Sequence, residues 1–543
     1  MMKKRILALT MAICMAGSAL AGCGGKKDAG TESGGTSQAA AAAQEPSSQA
    51  ASGGAASEGE KAYGGEIRIA ANASPATLFL PQAPDTGCPF YASPAAEELG
   101  RMEMDGTITP WLAEDLITDP DNLTYTIKLR EGVKFHDGSL CDAEAVKWNL
   151  DKMIESGKAA ELNNPVSVET TDDWTVVIQY DKWSNNWDSV VGAVRIISKQ
   201  AYEEHGEEWC KINIVGTGPF KFDSFVQDSS LRFVRNDEYR IAGQPYVDAI
   251  EFLVIPDANT QVSAFQNGEI DAIYTYDSVV INTLLSQGYT NIAQKSANLA
   301  NIKYVLFNSK DKEKPLGNLQ VRQAVMHSID WENIAKALSG GYGEASPLFC
   351  TSDSWAYHPD AEFLAYDTEL AKKLLAEAGY PDGFDTVINT VSKNQDIAVA
   401  LQACLQEIGV QAEINVMDAS EMNAKQKADN MEGFIMGNGT SWMDFTNNYI
   451  RLYSSEGIKN QGVMEFPEDY ETALFAAREA KTLDEKKKQL QTASKMLVQD
   501  YCMLFPVSVI YNYCFVQSDV QDLNLFQVSA TQWTPEAVSR SGK

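Results

Sequence analysis

Four histidines, His136, His205, His327 and His358, are all the imidazole this chain offers for metal ligation or proton transfer. None stands in HExxH or another ligand spacing, so no catalytic zinc is expected. Ser309-Lys310-Asp311-Lys312 has the SxxK spacing in which a lysine activates a serine, but no Lys-Thr-Gly or Ser-Asp-Asn element accompanies it, and GxSxG does not occur. Gly216-Thr217-Gly218-Pro219 has the glycines of a phosphate cradle without the P-loop context of strand, lysine and helix. It reads as a turn feeding a strand at Phe220-Lys221-Phe222. His136-Asp137 lies between Gly132 and Gly138, where a tight hairpin needs glycine, and reads as a turn element rather than a metal or proton-transfer pair. Cys88, Cys141, Cys210, Cys350, Cys404, Cys502 and Cys514 form no CxxC pair. One or two pairs could oxidise, Cys502 with Cys514 being nearest in sequence, or all could stand as buried thiols. The expectation is therefore binding without catalysis, metal or cofactor.

Binding needs contact area at low entropic cost, which planar side chains in irregular polar segments supply. Of ten tryptophans, Trp442 in Gly437-Asn438-Gly439-Thr440-Ser441-Trp442-Met443-Asp444-Phe445 is the first candidate. Trp355, in Thr351-Ser352-Asp353-Ser354-Trp355-Ala356-Tyr357, and Phe90-Tyr91, after the Gly87-Cys88-Pro89 break, come next. Trp148 sits on a predicted helix and reads as core.

One further sulfur stands apart. Met1-Met2-Lys3-Lys4-Arg5 is a basic start, and Ile6 to Ala19 is an apolar run shorter than the roughly 20 residues a bilayer core requires. Together they read as an export signal. The Leu20-Ala21-Gly22-Cys23 ending resembles the bacterial lipobox, which implies cleavage before Cys23 and attachment of lipid to its sulfur. The expected signal peptide is residues 1–22. Residues 23–61 have the composition of a flexible tether spanning roughly 35 Å, too poor in apolar residues to fold.

The remaining body, about 480 residues, exceeds what one hydrophobic core usually serves, so two or more lobes are expected. With 44% apolar residues and no later run of spanning length, it reads as soluble. The net charge of −30, more negative by three once Lys3, Lys4 and Arg5 leave with the signal, argues against nucleic acid or an anionic lipid surface as partner. Alternation predicts strands at 65–70, 123–129, 175–180, 231–235 and 249–255. Helical signals lie at 142–150, 260–267, 319–328, 368–378, 397–408 and 467–500. Strands interleaved with helices in both halves point to mixed α/β lobes.

The order of these segments resembles that of the family 5 extracellular solute-binding proteins, the oligopeptide, dipeptide and nickel receptors of ABC importers. The resemblance runs from Ile108-Thr109-Pro110-Trp111-Leu112-Ala113-Glu114 through Leu123 to Gly138. It continues through Gly216-Thr217-Gly218-Pro219-Phe220, Ile255-Pro256-Asp257-Ala258, Gly268-Glu269-Ile270-Asp271-Ala272 and Val321-Arg322-Gln323-Ala324, to Lys373 to Phe384 and Ile408-Gly409-Val410. It implies a two-lobed periplasmic-binding-protein-like fold of the cluster C type, with an extra subdomain in the first lobe and a hinge. By that analogy lobe I takes residues 62–298 and 505–543, and lobe II takes 299–504.

In peptide-binding relatives an aspartate a few residues after an aromatic pairs with the peptide's α-ammonium, and Asp444 is the matching position, with Ser441 and Trp442 beside it. Three departures bear on a peptide ligand: Phe445-Thr446-Asn447-Asn448 lacks the acidic or proline residues that often follow that aspartate, the segment is lengthened around Asn438 to Ser441, and Ala419 stands where many relatives place an aromatic platform. The resemblance implies a monomeric receptor for a short peptide, or for a sugar, chelated metal or other small solute. Its partners would be the permease subunits of an ABC importer with their cytoplasmic ATPases. The membrane would be met only through the lipid on Cys23, at the outer surface of a Gram-positive-type envelope. An envelope-anchored hydrolase is the alternative from another class.

Overall fold

Alternation in Glu66-Ile67-Arg68-Ile69-Ala70-Ala71 buries Ile67, Ile69 and Ala71 on one side of the first long strand. The computed structural model describes residues 61–83, 88–103, 107–428, 431–440, 444–525, 533 and 535–541. No helix among them is long and apolar enough to cross a membrane.

Ten strands form the main path of a sheet of eleven: β1 (Glu66–Ala71), β2 (Phe220–Val226), β3 (Ser230–Arg235), β4 (Ala249–Val254), β5 (Ala272–Thr275), β6 (Ile292–Phe307), β7 (Asp385–Thr390), β8 (Gln411–Val416), β9 (Phe434–Thr440) and β10 (Leu504–Val516). Their order across the sheet is β8-β7-β9-β6-β10-β5-β1-β4-β3-β2, and the short strand Gly343–Glu344 pairs with β10. The pairs β1/β4, β1/β5, β7/β8 and β7/β9 are parallel, and β7 and β8 are joined by a helical crossover through the helix Gln395–Glu407.

Side chains sort into separate cores. One draws only on residues between Ala300 and Val509, and is the core of the second lobe. The first lobe is filled by Ile67, Phe220, Phe252 and Trp533 with their neighbours, and by Phe265, Ile281 and Phe515 with theirs. A further first-lobe core, around Tyr125, Ile127, Ile178 and Trp187, lies under a four-stranded sheet ordered 113–119, 124–129, 175–179, 167–172. That sheet and α1 (Ala143–Met153) make the extra subdomain. Asp142 caps α1 by accepting the amide of Ala145 at 2.9 Å.

The lobes are joined by β6 and β10. They pair antiparallel from Ile292/Phe515 to Leu306/Leu504, with the register broken between Ser296 and Asn301. At that break the packing changes hands: Val509 belongs to the second-lobe core and Ile510 to a first-lobe core. The change therefore falls inside β10, between Val509 and Ile510.

The predicted helix over 467–500 is two helices, α4 (Glu468–Glu479) and α5 (Leu483–Lys495). Between them lies an extended Ala480, and the Thr482 hydroxyl caps α5 on the amide of Glu485. Two more helices complete the frame of the site, α2 (Trp187–Gly192) in the first lobe and α3 (Phe445–Tyr453) in the second.

The family motifs prove to be packing devices. Gly216 and Gly218 lie against the backbone of Pro94, Ala95 and Ala96, where a Cβ would come within 2.1 Å and 2.5 Å of carbonyl oxygens. Thr217 between them donates to the buried Glu97 carboxylate, which also takes the Trp111 indole and the Tyr239 hydroxyl. Gly132 and Gly138 have φ of 77° and 88°, as the hairpin demands. His136 donates through Nε2 to the Gly218 carbonyl, 2.9 Å away, and burial pushes its imidazole down to about 4. All seven body cysteines are free thiols, Cys404 partly exposed and the rest buried.

Candidate functional site

Asp444 sits at the N-cap of α3, with its carboxylate 3.1 Å from the amide of Asn447. A carboxylate there is favoured by the unpaired amides and positive end of the helix. It is buried, and two further groups hold it. Ser189 of α2, a first-lobe residue, donates its hydroxyl to Asp444 Oδ2 at 2.5 Å. Lys486, at the fourth position of α5, places Nζ 3.5 Å from Oδ1. Asp444 thus carries a hydrogen bond between the lobes and has its charge neutralised from within the second lobe.

Lys486 is itself enclosed, its side chain 13% exposed. Its ammonium lies 6.0 Å from the centre of the Trp355 ring, and that ring meets Phe445 edge to face at 5.7 Å. Across the junction, Asp188 accepts from Thr118 Oγ1 at 3.2 Å. Burial raises the Asp188 carboxyl above its ordinary value, opposed by Tyr125, Thr118 and the Lys486 ammonium. Lys486 therefore pairs with the buried Asp444 of its own lobe and also lends its charge to the half-buried Asp188 of the other.

Beside this cluster the first-lobe segment 182–189 docks on the end of α4. A helix leaves its last carbonyls without intrahelical partners, and here no glycine cap supplies them. Asn185 supplies them instead: its backbone amide donates to Arg478 O at 2.8 Å, and its side-chain amide to Ala477 O at 2.7 Å and Ala480 O at 3.1 Å. Trp183 Nε1 donates to Glu479 O at 3.0 Å. Lys481 reaches Asp121 at 3.4 Å and Lys182 reaches Glu456 at 3.9 Å, exposed pairs that contribute little.

Of the residues singled out from sequence, Asp444 and Trp355 come together here. Ser441, Trp442 and Cys23 lie outside the described residues. Phe90 and Tyr91 go elsewhere: both are buried in the first-lobe core against Phe252, with Phe90 also against Trp533, and the Tyr91 hydroxyl is spent on Ala73 O at 2.6 Å. The pair reads as packing because apolar neighbours surround both rings. Trp148 is core as expected, against Phe79 and Tyr202.

Sequence reasoning missed Ser189, Lys486, Asn185 and Trp183. A signal existed for one of them: Trp183 lies in an irregular polar segment, Lys182-Trp183-Ser184-Asn185-Asn186, by the same criterion that selected Trp355. An open groove of about 500 Å³ on the four-stranded sheet, lined by Glu114, Lys128, Glu131, Asp172, Asp173 and Trp174, shares no residue with the junction.

The model of the bacterial extracellular solute-binding proteins, family 5, matches residues 107–460, well over half of the chain. The chain belongs to this family. It is similar to the glutathione-binding protein GsiB of Salmonella paratyphi A, 28% identical over 429 residues that cover 76% of this chain and 81% of that protein. Its fold is that of the Helicobacter pylori periplasmic binding protein DppA solved with the peptide STSA: TM-score 0.73, 22% identity, covering 89% of this chain and 99% of that one. It is likewise that of Brucella suis NikA solved with Fe(III)-EDTA: TM-score 0.74, 22% identity, covering 87% and 100%. As a member of family 5 the chain is an extracytoplasmic substrate-binding receptor of an ABC importer. Its relatives bind solutes and are not enzymes, and neither is this chain.

Proposed function

We propose that this receptor is anchored by lipid on Cys23, takes a short peptide between its two lobes, and delivers it as a monomer to the permease of an ABC importer with cytoplasmic ATPases. The observation that carries the reading is the junction at Asp444. A residue of each lobe contributes to one buried polar cluster, so the lobes are built to meet around what lies between them, and closure draws its energy from contacts made only when they meet. The peptide class is supported by two relatives, one named for glutathione and one solved with STSA.

The anchor rests on Leu20-Ala21-Gly22-Cys23 and the tether-like residues 23–61, which would keep a receptor near its permease on a Gram-positive-type surface. Native mass spectrometry of the chain purified without refolding tests the ligand class. A heterogeneous set of short peptides is expected. A single sugar, chelated metal or other organic solute would refute the peptide reading while leaving the receptor role intact.

A further inference from the structure

Asp444 needs no cation from a ligand. Its Oδ1 faces the Lys486 ammonium at 3.5 Å, its Oδ2 takes the Ser189 hydroxyl, and the Asn447 amide completes the set. Side-chain exposures of 5% for Asp444 and 13% for Lys486 put both charges in a poorly solvated place, where an ion pair is felt strongly and a missing partner is costly. A ligand ammonium arriving at this carboxylate would have to displace Lys486 or sit beside it as a like charge. Displacing Lys486 would take its ammonium from Asp444, from the Trp355 ring 6.0 Å away and from the attraction of Asp188, so the ligand would gain one cation contact by losing another.

We propose that Lys486 is a specificity-determining residue: a built-in counter-ion that fills the cation position at Asp444, so that the receptor accepts peptides whose amino terminus is blocked or neutral as readily as free ones. This rests on the peptide-receptor reading above. The chemistry follows from charge balance. With the carboxylate already neutral overall, acetylating a ligand's amine removes no interaction made at Asp444, and the Asp444–Ser189 hydrogen bond between the lobes forms whatever the ligand's terminus. Without Lys486 the same carboxylate would demand a cation from the ligand, because a buried unpaired charge disfavours closure.

The test uses the full chain in mild detergent and two degenerate tetrapeptide pools, one with free amino termini and the same pool N-acetylated, titrated by calorimetry. Wild type is expected to bind the two within about threefold, and Lys486→Met to prefer the free pool by about tenfold or more. A wild-type preference of about tenfold or more for the free pool overturns the proposal, as does equal binding of both pools by Lys486→Met. The second measurement is ligand-free thermal unfolding: Lys486→Met lowers the melting temperature and adding Asp444→Asn restores most of the loss, whereas additive losses overturn the built-in pair. Failure of wild type to bind either pool sinks the peptide reading, and the thermal cycle then decides whether Lys486 and Asp444 are each other's partners.

Discussion

Replacing Asn185 with alanine removes two hydrogen bonds that cross between the lobes and leaves the fold of each lobe untouched. The side-chain amide donates to Ala477 O at 2.7 Å and Ala480 O at 3.1 Å, while the backbone amide keeps its bond to Arg478 O. When the lobes part, both carbonyls and the amide return to water, so each bond counts at its net value of about 1 kcal/mol rather than its gross strength. Two such bonds give about 2 kcal/mol, or a shift of about 30-fold in the balance between touching and parted lobes. Because only the touching form encloses a solute fully, apparent Kd rises with that balance, by up to the same factor. Asn185→Asp should do worse than alanine, since it turns acceptors toward acceptors. The assay is calorimetric Kd for a peptide identified by native mass spectrometry, with small-angle scattering to report lobe separation and thermal unfolding as control. An unchanged Kd and scattering profile for Asn185→Ala, at unchanged melting temperature, would show that this contact does not hold the lobes together.

Four further outcomes follow from the structure. His136 is buried neutral, with its Nδ1 facing no partner and its folded value pushed down to about 4 from an ordinary 6.5. The unfolded chain therefore binds the proton first, and stability on the order of 3 kcal/mol is present above pH 6.5 and is lost as pH falls toward 4; denaturant melts of His136→Gln should show a flatter dependence across that window. Gly216→Ala puts a Cβ 2.1 Å from Ala95 O, and should cost more than about 2 kcal/mol or abolish folding, read by soluble yield and urea midpoint. Arg322→Met strips donors at 2.6–3.0 Å from Glu465, Leu316 O and Tyr501 O, and should cost about 3 kcal/mol in the same melts. Cys23→Ser should move the protein from the membrane to the soluble fraction and abolish incorporation of labelled fatty acid; retention of label would place the lipid elsewhere.

Elements whose cause is local were legible in the chain. Asp142 ahead of an amphipathic run announced the cap and start of α1, and the alternation from Glu66 announced β1. The break between α4 and α5 left one local mark, the Thr482-Leu483-Asp484-Glu485 spacing of a capping box at the start of α5, while Ala480-Lys481 carries neither glycine nor proline to end α4. The last carbonyls of α4 are satisfied by donors on Trp183 and Asn185, nearly 300 residues earlier. Those donors come from the other lobe and leave no mark in the sequence of α4 itself.

The same physics decides why Asp444 could be singled out and Lys486 could not. Asp444 stands in a stretch whose resemblance draws attention to a carboxylate, and an aspartate before Phe445-Thr446-Asn447 is a fair N-cap on local grounds. Lys486 is the first of three consecutive lysines, Lys486-Lys487-Lys488, and nothing in their chemistry separates them. Successive residues on a helix point about 100° apart, so only one of the three can face a given neighbour. Which one depends on where α5 begins, and that is marked by Thr482 capping the Glu485 amide. With that start Lys486, rather than Lys487 or Lys488, lies toward Asp444. The Thr482 cap and the charge balance at Asp444 are in this way one arrangement, and a variant that shifts the start of α5 by a single residue should lose the Lys486–Asp444 pair.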